Sequence, residues 1–101
     1  MDATNLFDHK GRFFKVLQET PRSQTAVMTI MPGQDAGPEE TLEADQIIYI
    51  VEGEALVRVK DQERETPAGT LLLIPAGTPH HVRNAGRAPL FLLTIYAPPA
   101  Y

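Results

Sequence analysis

The chain contains no cysteine, so disulfides, thiolate nucleophiles and thiolate metal sites are all excluded. It has one serine, Ser23, in a turn-like stretch, which leaves no credible serine–histidine–acid triad. Positive charge is scarce: 9 Lys and Arg stand against 13 Asp and Glu, a net charge of −4. That balance argues against a nucleic-acid partner, which calls for a basic face. No apolar run approaches the roughly 20 residues that span a bilayer, and MDATNLFDHK lacks a charged-then-apolar signal pattern. The expectation is therefore a cytoplasmic chain with neither a nucleic-acid nor a membrane partner. Its 101 residues suit one domain, enough to bury roughly two-thirds of the unfolded surface.

What is present is punctuation. Nine prolines and seven glycines separate short runs rich in β-branched and aromatic residues, the pattern of an all-β sandwich or barrel. Strands are expected at Phe13–Glu19, Thr25–Met31, Asp45–Glu52, Glu54–Lys60, Gln62–Thr66, Thr70–Ile74, His80–Asn84 and Pro89–Tyr96. Residues 1–11 read as an N-terminal arm without regular structure and 97–101, APPAY, as a loose tail or strap. In Asp45–Glu52 both alternating faces are apolar, Ile48 and Ile50 on one and Ile47, Tyr49 and Val51 on the other. A strand apolar on both faces is covered on both. The barrel interior supplies one cover and a partner subunit the other, so a homodimer is expected; packing under the N-terminal strands is the alternative.

The most specific signal is GTLLLIPAGTPHHVRN, residues 69–84. It runs Gly69, five residues, Pro75, one, Gly77, two, His80, three, Asn84. The turn residues hold the His80 imidazole between two strands, which suits a metal ligand or an acid/base group. This run resembles the second sequence motif of the cupin superfamily. The first cupin motif runs Gly, five residues, His-x-His, three or four residues, Glu, six residues, Gly. Gly33 and Gly53 fit its ends, and the ligand positions between them become Glu39, Thr41 and Gln46. PGQDAGPEETLEADQIIYIVEGEALV and LFLLTIYAPPA are also similar to small single-domain cupins of the mannose-6-phosphate-isomerase-like type, with the first motif degenerate and Thr41 where that group has histidine.

The resemblance implies a cupin-type double-stranded β-helix, a jelly-roll barrel, and a candidate metal shell of Glu39, Thr41, Gln46 and His80. Glu40 replaces Glu39 as the inward residue if the register slips by one. An imidazole and a carboxylate suit Zn, Ni, Fe or Mn; amide and hydroxyl oxygens are poorer donors, so a divalent metal is expected to be weakly bound or absent. Six carboxylates and no basic residue lie between Glu39 and Glu54, either an electronegative mouth or a solvated loop. His81 is expected to face away from the site, Asn84 to serve its turn through backbone hydrogen bonds, and Arg58 and Arg83 to be exposed. Two functions follow. One is a small-molecule-binding barrel with an incomplete metal site; the other is a metal-dependent enzyme of sugar isomerase-like or dioxygenase-like type.

Overall fold

The computed structural model describes all 101 residues. Eight strands follow in chain order: β1 (Lys15–Thr20), β2 (Ser23–Ile30), β3 (Asp45–Glu52), β4 (Glu54–Val59), β5 (Gln62–Pro67), β6 (Leu71–Ile74), β7 (His80–Asn84) and β8 (Leu90–Ala97). They form two antiparallel sheets, one ordered β1-β2-β8-β3-β6 and the other β5-β4-β7. This is the all-β, two-sheet architecture expected from the sequence. No helix is long and apolar enough to cross a membrane.

Alternation along the strands decides what faces inward. Met28 and Ile30 of β2, Ile48 and Ile50 of β3, Leu90 and Leu92 of β8 and Val57 and Val82 of the second sheet meet in one buried aliphatic cluster. The same alternation, continued toward the other end of the barrel, brings Gln46, His80, Thr94 and Tyr96 inside, all buried. The core and the polar end of the barrel are thus successive stretches of the same inward rows.

Two glycines of the first motif have different tasks. Gly33 sits at φ +80° with open space around it, whereas Gly53, at φ +86°, joins β3 to β4 as the chain passes between sheets. A Cβ on Gly53 would lie 2.7 Å from the Pro89 carbonyl oxygen and 3.0 Å from the Leu90 Cα. Asn84 ties the far turn together. Its Nδ2 donates to the carbonyls of Ile30 (2.8 Å) and Ala88 (2.9 Å), and its Oδ1 accepts from the Gly86 amide (2.8 Å).

The arm departs from expectation. Leu6–His9 forms a single 3-10 turn, with the Asn5 side chain accepting from the Phe7 amide, and the Phe7 ring rests on Phe91 at 5.6 Å. Four residues are too few for a helical period to register in the sequence. On the outer face of the larger sheet, Leu73, Ile47 and Ile95 form one row and Leu71, Tyr49 and Leu93 the next. Tyr49, Leu71 and Leu73 are exposed in the single chain.

Candidate functional site

The connection between β2 and β3, residues 31–44, runs along the free edge of β7 and extends the smaller sheet. Backbone bonds fix it there: Asn84 N–H to Gln34 O (2.9 Å), Ala36 N–H to Val82 O (2.8 Å), and a reciprocal pair between Glu40 and His80 (3.0 and 2.9 Å). Directly paired residues place their side chains on the same side of a sheet. Glu40 therefore shares His80's inward side, and Glu39 alternates outward, where its carboxylate pairs with Arg58 at 3.1 Å.

Between the sheets, at this polar end, lies a cavity of about 270 Å³. Phe13, Phe14, Met28, Ile48, Val82 and Leu92 form much of its wall, and Glu40, Gln46, His80 and Tyr96 bring polar atoms to it. The structure thus brings Gln46 and His80 together at one cavity and places Glu39 and Thr41 outside its lining. Glu40 takes the inward place instead, as a register slip of one residue requires. His81 alternates, as expected, to the side opposite His80, the side that carries Arg58. Its ring meets Asp35 of the 31–44 connection at 3.3 Å. The Gly37 amide, and after it His81, hold the Asp35 carboxyl below its usual range.

Tyr101 is the functional residue that sequence reasoning missed. The side chain of Gln24, fully buried in β2, accepts from the amides of Ala100 (3.2 Å) and Tyr101 (3.1 Å) and donates to the Tyr101 carbonyl (2.6 Å). Residues 98–101 are thereby folded back across the barrel end. The Tyr101 ring lies 5.1 Å from Phe14 and 5.2 Å from Tyr96, and its hydroxyl donates to Glu40. Burial, followed by the bond to Glu40, raises the Tyr101 pKa. Burial, opposed by Thr94 and reinforced by Glu40, pushes Tyr96 up to about 12. Both phenols keep their protons at neutral pH.

The polar balance of the cavity is incomplete. His80 Nδ1 lies 3.0 Å from the Thr78 carbonyl. A carbonyl only accepts, so Nδ1 carries a proton, and in that tautomer Nε2 is an acceptor with no protein partner. Gln46 Nε2 donates to Thr94 Oγ1 at 3.1 Å, while Gln46 Oε1 is buried with no partner. Leaving such an oxygen unmet costs about 1–3 kcal/mol, so this atom points to something the chain alone does not supply.

The sequence model of one family, described as the cupin domain, matches residues 26–96. The chain is a cupin. Its double-stranded β-helix matches that of BH2720 from Bacillus halodurans, 34% identical with a TM-score of 0.91 over 98% of this chain and 82% of that one. TT1209 from Thermus thermophilus is 28% identical, with a TM-score of 0.84 over 97% of this chain and 98% of that one. The uncharacterized protein YrkC of Bacillus subtilis is 37% identical over 82 residues, 75% of this chain and 44% of that protein. The chain therefore spans less than half the length of that relative.

Cupins often hold a metal, and the donors here can be tested against one. No three His, Cys, Asp or Glu side chains stand together in a metal-holding group. The cavity offers one imidazole, one amide oxygen and one carboxylate, the last already bonded to the Tyr101 phenol. A resident zinc takes three good protein ligands even in an open catalytic site. The residues of this cupin do not fit such an ion.

Proposed function

We propose that this cupin binds a small organic molecule in the cavity between its sheets, with Gln46 Oε1 and His80 Nε2 as the atoms that orient it. The buried, unpartnered Gln46 oxygen carries the reading. A concave, largely apolar site with a few placed polar groups is the usual form of a small-molecule pocket. At about 270 Å³ the cavity suits a metabolite-sized occupant.

The test is to purify untagged protein, extract it with organic solvent and identify co-purifying molecules by mass spectrometry, measuring metal content on the same sample. The expected result is an organic molecule near one equivalent in the wild type, depleted in both Gln46→Leu and His80→Ala, each folded by circular dichroism. Equal retention in both variants refutes the site. Near-stoichiometric metal that disappears in His80→Ala refutes the organic reading in favour of a metal-dependent enzyme.

The outer face of the larger sheet supports one partner, a second copy of this chain. The six residues in its two rows, Leu73, Ile47 and Ile95 with Leu71, Tyr49 and Leu93, include no charged side chain. Such a face finds its complement in itself, without charge conflict, as a twofold interface requires. Extended apolar patches are uncommon on monomers. Sedimentation at micromolar concentration is expected to show a dimer that Leu71→Lys with Leu73→Lys converts to monomer; a monomeric wild type refutes it.

A further inference from the structure

We propose that the occupant of the cavity is a small organic ammonium ion, a protonated amine set against Glu40 and an aromatic wall. This rests on the reading of the cavity as a ligand site and names the class of ligand.

Donors around the cavity are largely engaged. The Tyr101 phenol donates to Glu40, and the His81 ring is held by Asp35. Along the 31–44 connection, the Ala36 amide donates to Val82 O, the Gly37 amide to Asp35 and the Glu40 amide to His80 O, while Pro38 has no N–H. Gln46 Nε2 is on Thr94, and His80 Nδ1 is on Thr78. The Tyr96 hydroxyl and the second N–H of Gln46 Nε2 are the side-chain donors not already matched to a stated acceptor. The open atoms are acceptors: Gln46 Oε1, His80 Nε2 and the remaining lone pairs of Glu40. Neither lysine nor arginine lines the cavity. Arg58, paired with His81 across β4 and β7, is bound to the outward Glu39.

An anion placed here would face a carboxylate and two lone pairs with no cation to answer it. A neutral ligand with donors would satisfy Gln46 and His80 but bring no charge to complement Glu40. An ammonium group offers only donors to these acceptors, and its charge complements the carboxylate. The rings of Phe14, Tyr101 and Tyr96 stand in a contiguous series at 5.1 and 5.2 Å. Aromatic faces attract cations and repel anions, and the bond from Tyr101 to Glu40 places this wall beside the carboxylate.

The test uses three probes of similar shape, benzylamine, benzyl alcohol and benzoate, titrated into the isotope-labelled full chain near neutral pH in the presence of EDTA and followed by NMR. Benzylamine is expected to give saturable shifts at the Gln46 side-chain amide and the His80 ring, binding at least about tenfold more tightly than benzoate. Glu40→Gln, with its fold checked by the same spectra, is expected to weaken benzylamine by about tenfold and to leave benzyl alcohol nearly unchanged. Tyr101→Phe removes the competing phenol and keeps the carboxylate, and is expected to bind benzylamine at least as tightly as wild type. Benzoate or benzyl alcohol binding the cavity as tightly as benzylamine, or an unchanged benzylamine affinity in Glu40→Gln, overturns the ammonium assignment and leaves the ligand site standing. If none of the three probes moves Gln46 or His80, the ligand-site reading falls as well.

Discussion

Replacing Gly53 with alanine separates two costs that usually arrive together. Gly33 and Gly53 share nearly the same backbone, φ +80° and +86°, so an alanine at either meets the left-handed penalty. That penalty is about 1–2 kcal/mol, offset in part by about 0.4–1 kcal/mol of lost unfolded-state entropy. Gly33→Ala, with nothing within 4 Å of the new Cβ, is left with a net loss of about 1 kcal/mol. At Gly53 the new atom meets the Pro89 carbonyl oxygen at 2.7 Å and the Leu90 Cα at 3.0 Å, both backbone, so no side-chain rotation relieves it. Shifting the start of β8 adds the usual overpacking cost of about 1–3 kcal/mol, for a total of about 2–4 kcal/mol. Against a typical domain stability of about 5–15 kcal/mol this is a large share. Urea unfolding of both variants and wild type measures it, with slopes expected to agree. The midpoint of Gly53→Ala should fall at least about twice as far as that of Gly33→Ala. Equal midpoint shifts would refute the reasoning, because the close approach to β8 would then contribute nothing.

Asn84→Ala leaves the Ile30 and Ala88 carbonyls and the Gly86 amide without their side-chain partner. A loss of about 2–4 kcal/mol is expected, read by thermal or urea unfolding; under about 1 kcal/mol would contradict the role given to that side chain. For Tyr96, the folded pKa of about 12 lies above the ordinary 10.0. The unfolded phenol therefore loses its proton first, so stability is full below pH 10 and declines as pH rises from there toward 12. Tyr96→Phe should flatten that decline in unfolding curves measured across the interval, and an unchanged slope counts against the assignment. For Asp35 the sign is opposite. Its lowered pKa contributes stability above the ordinary 3.8 that is lost as pH falls through the depressed value. Asp35→Asn should differ from wild type at neutral pH and converge with it in acid, and a gap that stays constant would be evidence against it.

The strands were legible because their limits are written locally. Pro67, Gly69, Pro75 and Gly77 end or turn the chain wherever they stand, and the β-branched runs between them leave little freedom in the frame. Every expected strand begins within two residues of its observed start, and Pro89–Tyr96 differs from Leu90–Ala97 by one residue at each end. The inward positions of Gln46 and His80 followed from alternation along those strands. The choice between Glu39 and Glu40 was not written locally. It depends on a bridge to His80, forty residues away, and both residues are glutamate, so composition offers no contrast. Tyr101 was hidden for the same reason. Its seat is provided by Gln24, 77 positions earlier, and nothing in APPAY announces that partner. His81 obeyed the strand's alternation, which was enough to turn it away from His80.

The pairing of Glu40 with His80 through both backbone amides also bears on kinetics. Anything leaving the cavity beneath the 31–44 connection must wait for those two hydrogen bonds to open, and the same opening admits solvent to both amides. Where closing is slower than chemical exchange, so that deuterium uptake at Glu40 and His80 reports the opening rate itself, that uptake sets an upper bound on departure by that route. Departure past residues 98–101 carries no such bound, because that segment is fastened to Gln24 instead. The residence time of a ligand, set beside two amide exchange rates, would identify the door it uses.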